Sequence, residues 1–191
     1  VAQSASAIMG DASDGGSITV RAAGDISNQG LLNSFSSAQT GNAQNGGAIT
    51  IDVTNGGNIT NQGTFRSLSI SNGGNAGAGG AITLSAKGNG TITNYGALNA
   101  QSLANGNESG DAGMGGNITI DTEDGDIINA PFGFSSDPND NSGSLNTRSV
   151  TRNGNASDSG TITVRSEGGD IVLNAYLDSK SYSLTGGESE D

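Results

Sequence analysis

The sequence predicts an all-β fold, a right-handed parallel β-helix of about five coils with essentially no α-helix. Three observations predict it. A phrase of the form Gly-Gly-x-Ile-Thr, followed by Val, Ile or Leu, returns about every 33 residues, and such self-similarity is the signature of a solenoid. Around the phrase, short segments alternate apolar and polar residues and are rich in Ile, Val and Thr, which is typical of strands. No window shows the apolar period of a helix.

The first part of each repeat is the Ile-Thr strand. Successive side chains of a strand point to opposite sides, so Ile49 and Ile51 share one side while Thr50 and Asp52 share the other. The apolar side must face inward. We therefore predict a stacked core column formed by the leading isoleucines, which are Ile18, Ile49, Ile82, Ile118 and Ile162.

The second part is a Gly-x-Ile strand that follows eight to ten residues later. Two residues beyond its isoleucine, on the same inward side, four of the repeats carry asparagine, at Asn28, Asn61, Asn94 and Asn129. Stacked amide side chains can hydrogen-bond along a column of strands. The sequence therefore predicts a structural Asn ladder, which ends where the fifth repeat has Leu173.

The third part begins with an apolar residue, at Leu32, Phe65, Leu98, Leu145 and Leu177. It lies six residues after the second-part isoleucine in four repeats and eighteen after Ile127 in the other. We therefore predict an insertion loop over 129–143. Apolar residues of the third part occur at both parities, since Leu68 and Ile70 differ in parity from Phe65. This leaves open a corner inside the third part.

The whole chain, 1–191, reads as a single β-helix segment with coils that start near 15, 46, 79, 115 and 159. Val1 takes a third-part position, so we interpret the chain as excised from a longer repeat protein, with uncapped ends that allow end-to-end stacking. Right-handed winding follows from the crossover preference of parallel strands. The residues that three short strands do not need are expected in the Gly/Asn-rich segments 41–47, 72–80, 105–116 and 153–160.

Composition and charge exclude several classes of function. The net charge is −12, with 7 Lys and Arg, which disfavours binding to nucleic acid or to anionic membrane surfaces. Cys and His are both 0, so neither a disulfide nor a zinc framework can form. The longest apolar run is far short of a membrane span, which predicts no membrane insertion.

The outward Thr column (Thr19, Thr50, Thr83, Thr119 and Thr163) has two interpretations. A flat Thr array could bind ice or a repeating polymer. The neighbouring outward position varies, however, as Arg21, Asp52, Ser85, Asp121 and Arg165. That variation spoils flatness and favours plain β-propensity on an exposed strand.

The insertion contains two candidate features. Asp137, Asn139 and Asn141 resemble the start of a calcium loop, whose ion takes oxygen ligands at alternate positions. The glycine is one place late and Arg148 stands where a glutamate belongs, so a solvated turn is the alternative. Phe132 and Phe134 form a candidate contact loop, or else they cover the core beside Pro131. Apart from calcium, the sequence indicates no cofactor.

The densest acidic cluster is Asp121, Glu123, Asp124 and Asp126. Polysaccharide lyases and hydrolases with a β-helix use carboxylates on this kind of surface. Paired catalytic carboxylates need a fixed geometry and a shifted pKa, whereas this cluster spans a glycine-containing turn. The chain also has no His for acid–base work and no Trp for stacking on sugars. We therefore predict no catalytic residues.

The three-part pattern resembles the repeats of filamentous-haemagglutinin-like exoproteins, which are large two-partner-secretion adhesins with related repeats in cyanobacterial surface proteins. The residues that carry the resemblance are phrases such as Gly46-Gly47-Ala48-Ile49-Thr50-Ile51, Gly125-Asp126-Ile127 and Leu145-Asn146-Thr147-Arg148-Ser149. The resemblance implies an exported bacterial shaft at the cell surface, non-catalytic, that displays adhesive regions towards host-cell, matrix or glycan surfaces. A carbohydrate-binding or polysaccharide-cleaving β-helix is the alternative, and an ice or polymer binder is the third.

Overall fold

The computed structural model describes residues 5–107, 109–131 and 142–185, and over these residues the chain is a parallel β-solenoid without helix. This architecture confirms the predicted all-β solenoid of about five coils, with repeats about 33 residues apart. We number the coils from their glycine pairs, so that coils 1 to 5 are 15–45, 46–78, 79–114, 115–158 and 159–185.

The strands of the described chain are short, two to seven residues each. In chain order they are β1 (Ala5–Ala7), β2 (Ile18–Ala22), β3 (Ile26–Asn28), β4 (Leu32–Asn33), β5 (Ser36–Ala38), β6 (Ile49–Val53), β7 (Ile59–Asn61), β8 (Phe65–Ser71), β9 (Ile82–Ala86), β10 (Ile92–Asn94), β11 (Leu98–Ala104), β12 (Ile118–Thr122), β13 (Ile127–Asn129), β14 (Leu145–Asn146), β15 (Ser149–Thr151), β16 (Ile162–Ser166), β17 (Ile171–Leu173), β18 (Leu177–Asp178) and β19 (Ser181–Ser183).

Three parallel sheets run along the axis of the solenoid. The first sheet contains β2, β6, β9, β12 and β16, and the second contains β3, β7, β10, β13 and β17. The third sheet contains the remaining nine strands. Equivalent residues of successive repeats pair without slippage, as in Ile49 with Ile82 and Ile82 with Ile118. Each sheet position therefore becomes a column of equivalent residues, one from each coil.

The apolar core consists of stacked columns inside the first two sheets and the start of the third. The central isoleucines Ile49, Ile82 and Ile118 are each fully buried, while Ile18 and Ile162 of the end coils are half-buried. Phe65, Leu98 and Leu145 of the third sheet belong to the same cluster. Few large residues suffice because each coil adds one layer of about 4.8 Å to a continuous core.

Beyond the apolar residue at its start, the third sheet turns small side chains, mainly serine, towards the interior. β8 and β11 each run seven residues without a break, so no corner falls at Leu68–Ile70 in β8. Ser67 and Ser69 are fully buried. Leu68 and Ile70 alternate with them on the outer side, where Leu68 is 9% exposed and Ile70 is half-buried. In coils 1, 4 and 5 the sheet is split into two short strands at the equivalent place.

The Gly/Asn-rich segments form an ordered fourth side of the solenoid. One alanine from each segment joins the next by a parallel bridge, in the series Ala12, Ala43, Ala76, Ala112 and Ala156. All five are buried. Ala12 and Ala43 form one small cluster with Ala38, and Ala76 and Ala112 form another with Ala104, both separate from the isoleucine core. The segments 41–47, 72–80, 105–116 and 153–160 therefore contribute a narrow second lobe of the core.

The glycine pairs mark the boundary between the two lobes. The amide of Gly80 donates to the carbonyl oxygen of Ser67 at 3.1 Å, and that of Gly116 donates to Ala100 at 2.9 Å. The Ser67 hydroxyl donates in turn to the carbonyl of Gly47. These bonds cross the interior from the glycine pairs to the middle of the third sheet. At the glycine pairs the backbone that leads into the first sheet is therefore in contact with the backbone of the third sheet. We call this narrow part of the cross-section the waist.

Candidate functional site

The predicted asparagines form a continuous hydrogen-bonded column inside the second sheet. Nδ2 of Asn28 donates to Oδ1 of Asn61 at 2.8 Å, Asn61 donates to Asn94 at 2.7 Å, and Asn94 donates to Asn129 at 2.6 Å. Asn61, Asn94 and Asn129 are fully buried. Each amide also donates to the carbonyl of the glycine that follows in its own turn, such as Gly63. The asparagine column therefore stabilises both the stacking of successive coils and the turn within each coil.

The insertion begins at this turn, directly after Asn129. In coils 1 to 3 the Asn donates to a glycine two residues on, for example Asn94 to Gly96 at 2.9 Å. In coil 4 Asn129 makes the same 2.9 Å bond to Gly143, fourteen residues on. The base of the insertion thus keeps the geometry of an ordinary turn. The predicted calcium ligands Asp137, Asn139 and Asn141, and the aromatic residues Phe132 and Phe134, lie outside the described residues.

A second set of carboxyl and amide side chains bonds along the outside of the solenoid. Oδ1 of Asp11 accepts the backbone N–H of Asn42 at 2.7 Å, and Oδ1 of Asn42 accepts that of Asn75 at 2.9 Å. The series continues through Asp111 to Asn155. A similar column begins with Asp25 and includes Asn58 and Thr91. The abundance of Asn and Asp in the sequence therefore has a structural use, because each side chain satisfies a donor of the next coil.

The Thr column lies on the outer side of the first sheet, where its members are half-buried or exposed. The neighbouring column forms ion pairs between adjacent coils, Arg21 with Asp52 at 3.4 Å and Arg165 with Asp121 at 2.7 Å. The hydrogen bond and the charge of Asp121, together with nearby Glu167, raise the pKa of the Arg165 guanidinium. These charged side chains stand beside the threonines and interrupt a flat surface.

The acidic cluster is already bonded within the solenoid. Asp121 pairs with Arg165, and Oε2 of Glu123 accepts the backbone N–H of Gly88 at 2.8 Å. Oδ1 of Asp126 accepts the N–H of Asp170 at 2.8 Å. Among the described residues there is no group of three or more His, Cys, Asp or Glu side chains arranged to hold a metal ion. The cluster therefore has the geometry of coil-to-coil contacts.

A shallow polar groove lies at the corner that follows the third sheet. It is open to solvent, encloses about 270 Å³ and is lined by Gln39, Thr40, Asn72, Gly73 and Asn107. Among the described residues its lining offers amide and hydroxyl groups and no charged side chain, so this lining suits a neutral polar ligand better than a reaction that transfers protons.

The outer face of the third sheet is a surface that the sequence patterns did not single out. Its columns bring Ile70, Leu103, Val150 and Tyr182 into one apolar stripe, since these residues are register partners in successive coils. Val150 is buried, and the other three are half-buried. Cations stand beside the stripe, at Arg66, Arg148, Arg152 and Lys180. Asp178 is the one acidic residue in the described third-sheet strands, and it pairs with Arg148 and Lys180. We call this surface the third-sheet outer face.

Comparisons with protein-family models, with curated protein sequences and with solved structures found no match. Over the part of the chain that the structure describes, no helix is long and apolar enough to cross a membrane.

Proposed function

We propose that this chain is a structural segment of the shaft of a secreted or cell-surface filamentous protein of bacteria, and that it performs no catalysis. The proposal rests on the way its polar side chains bond between coils. Inward asparagines, outward Asp and Asn residues, and Arg–Asp pairs all bond from one coil to the next. Side chains that would perform chemistry in an enzyme are thus engaged in holding the coils together.

The resemblance of the repeat to filamentous-haemagglutinin-like exoproteins supports the exported setting. In this proposal the direct partners are neighbouring repeats of the parent protein, which stack on the first and last coils. The shaft then holds adhesive regions away from the cell, towards a host-cell, matrix or glycan surface. No nucleic acid and no membrane insertion are involved, in keeping with the net charge of −12.

Carbohydrate binding is the second candidate function, and the polar groove favours it. The amides of Gln39, Asn72 and Asn107 and the hydroxyl of Thr40 are groups that hydrogen-bond to sugar hydroxyls. Polysaccharide cleavage would instead use the acidic cluster around Asp124. Ice or polymer binding by the Thr column is the third candidate, and the charged pairs beside that column weigh against it.

A polysaccharide panel separates the shaft from the carbohydrate-active alternative. The purified chain is incubated with neutral and uronate-containing polysaccharides, and bound sugar and released uronate are measured. We expect no release, for the wild type and for Asp124→Ala alike, and no more than weak binding. Release of uronate that is lost in Asp124→Ala would overturn the shaft proposal. Tight binding lost in Asn72→Ala would favour the polar groove as a carbohydrate site.

Calcium is a separate question, because its candidate ligands belong to the insertion. We expect the melting temperature to be the same with added Ca²⁺ and with a chelator, since the coil-to-coil bonds of the described chain involve no metal group. The variant Asp137→Ala serves as the control. A rise in melting temperature with Ca²⁺ that is absent in Asp137→Ala would show a calcium site in the insertion.

A further inference from the structure

The third-sheet outer face differs from the rest of the molecular surface in charge and polarity. The chain has 19 acidic and 7 basic residues. Among the residues that the structure describes, however, this face and its border hold Arg66, Arg148, Arg152 and Lys180 against Asp178 alone. Arg66 and Arg152 are exposed, and the Lys180 side chain is 67% exposed. A stripe of apolar side chains next to arginines is the composition of protein interfaces.

An acidic surface lies on another side of the solenoid at the same height. The turns between the first and second sheets in coils 4 and 5, residues 123–126 and 167–170, carry exposed Glu123, Asp124, Asp126, Glu167 and Asp170. We call this surface the acidic turn. Arg148 and Arg152 also belong to coil 4, and Lys180 belongs to coil 5. The acidic turn and the cationic part of the third-sheet outer face therefore share the same two coils.

The two surfaces are placed so that both are accessible. The inner side of the third sheet hydrogen-bonds the glycine pairs that begin the first-sheet strands, as in Gly116 to Ala100 at 2.9 Å. Its outer face consequently points away from the first sheet. The acidic turn is at the far end of the first-sheet strands and is separated from the third sheet by the whole second sheet.

We propose that the third-sheet outer face binds the acidic turn of a second copy of this chain, with the two solenoids side by side, parallel and in register. When two solenoids are parallel and their equivalent coils lie at the same height, the acidic turn of one copy lies opposite Arg152 and Lys180 of the next. Pairing two third-sheet outer faces would instead oppose cations to cations. The contact joins unlike surfaces, so it repeats and forms rows of parallel shafts.

The size of the face predicts a weak contact. A seven-residue strand is about 23 Å long and five coils are about 24 Å tall. The face is therefore about 550 Å² in area, below the roughly 800 Å² that each partner buries in a stable complex. Self-association should therefore appear only at high protein concentration. It should weaken in about 0.5 M salt, because ionic strength screens exposed charges.

Charge reversal tests the proposal with two variants that are complementary to each other. The first is Arg152→Glu with Lys180→Glu, and the second is Asp124→Lys with Asp170→Lys. Sedimentation velocity at high concentration should show self-association of the wild type and a monomer for each variant alone. An equimolar mixture of the two variants should recover a dimer, because each supplies the surface that the other has lost. Circular dichroism checks that both variants are folded.

Lys87→Glu is the matched control, since it makes the same Lys-to-Glu replacement as Lys180→Glu but on the first-to-second-sheet turn of coil 3, and it should leave association undiminished. The proposal is overturned if the wild type is a monomer throughout, if both variants associate as the wild type does, or if their mixture stays monomeric. End-to-end stacking would give the second of these results. Binding of poly-glutamate by a monomeric wild type would point to a different acidic partner and overturn the second-copy assignment.

Discussion

At the scale of single residues, the glycine pair is explained by the contact it permits. A Cβ on Gly80 would overlap the carbonyl oxygen of Gly47 and the hydroxyl of Ser67. A Cβ on Gly46 would lie 2.8 Å from the amide nitrogen of Gly80 and 2.9 Å from the backbone of Leu68. The neighbours are mostly backbone atoms held in two hydrogen-bonded layers, so they cannot move apart to admit a side chain.

Replacement of one waist glycine should therefore be severe. We expect Gly80→Ala to lower the free energy of unfolding by at least about 3 kcal/mol, as large substitution effects of this kind arise from steric overlap in the interior. Gly24→Ala is the control, because a Cβ there meets nothing within 4 Å, and its effect should stay within about 1 kcal/mol. Denaturant midpoints give the comparison, and equal midpoints would contradict the account of the waist.

Two buried serines of β8 offer a sharper comparison. Ser67 and Ser69 are both fully buried, but only Ser67 has a hydrogen-bond partner for its hydroxyl, the carbonyl of Gly47. Removing a bonded hydroxyl costs about 1 kcal/mol, whereas removing an unbonded buried one relieves a desolvation penalty. Ser67→Ala should therefore be destabilising and Ser69→Ala neutral or stabilising, as measured by urea denaturation. The opposite order would show that the Ser69 hydroxyl is bonded in solution.

At the scale of elements, the Asn ladder binds the short second-sheet strands, which have only three residues each. Strands of this length contribute few backbone hydrogen bonds. From coil 1 to coil 4 the amide column adds one bond between each pair of adjacent coils and one within each turn. It continues through coil 4 even though the insertion begins directly after Asn129. The ladder therefore lets the solenoid carry a long loop without loss of register.

The middle of the ladder should be more sensitive than its end. Asn94→Ala leaves groups of Asn61, Asn129 and Gly96 unpaired in a buried site, and we expect a loss of about 3 kcal/mol. Asn28→Ala, at the half-buried end of the column, should cost about 1 kcal/mol. Thermal or urea unfolding measures both. Losses of equal size would mean that the ladder bonds contribute little beyond the local turn.

Some elements were predictable and others were not. Strand periodicity and constant spacing predict the inward isoleucines and also place Asn28, Asn61, Asn94 and Asn129 on the inner side. The alanine side was overlooked although its signal is present, since Ala43 and Ala76 each stand six residues before an Ile-Thr isoleucine. A single small residue among glycines and asparagines has no alternating pattern, and only the bridge between coils shows that it is inside.

At the scale of the whole molecule, the solenoid is a stack in which each coil contacts its neighbours. The stability of such a stack is close to a sum over coils and their interfaces. Inward columns continue from coil to coil with similar residues, so any complete coil can in principle stack on any other. The charged third-sheet outer face is an exception, because its character depends on which coils contribute Arg148, Arg152 and Lys180.

Removal of one whole coil should leave a folded protein. Deleting 46–78 joins Asn45 to Gly79 and keeps every column in phase. We expect an unchanged type of β circular dichroism spectrum, cooperative unfolding and a denaturant m value lower by about a fifth. Deleting 46–62 is the control, because it removes β6 and β7 but leaves β8 behind, and it should abolish cooperative unfolding. Similar behaviour of the two deletions would argue against a register-dependent stack.

The amino-acid sequence by itself determined the solenoid, its period, the inward isoleucines and the place of the insertion, because these depend on local alternation and on the constant spacing between repeats. The tertiary structure alone decided the waist at the glycine pairs, the separate alanine lobe and the third-sheet outer face. Those features arise where residues from different parts of one coil, or from successive coils, meet side by side. These contacts depend on how each coil bends in cross-section. The bends are not encoded in any periodicity along the chain.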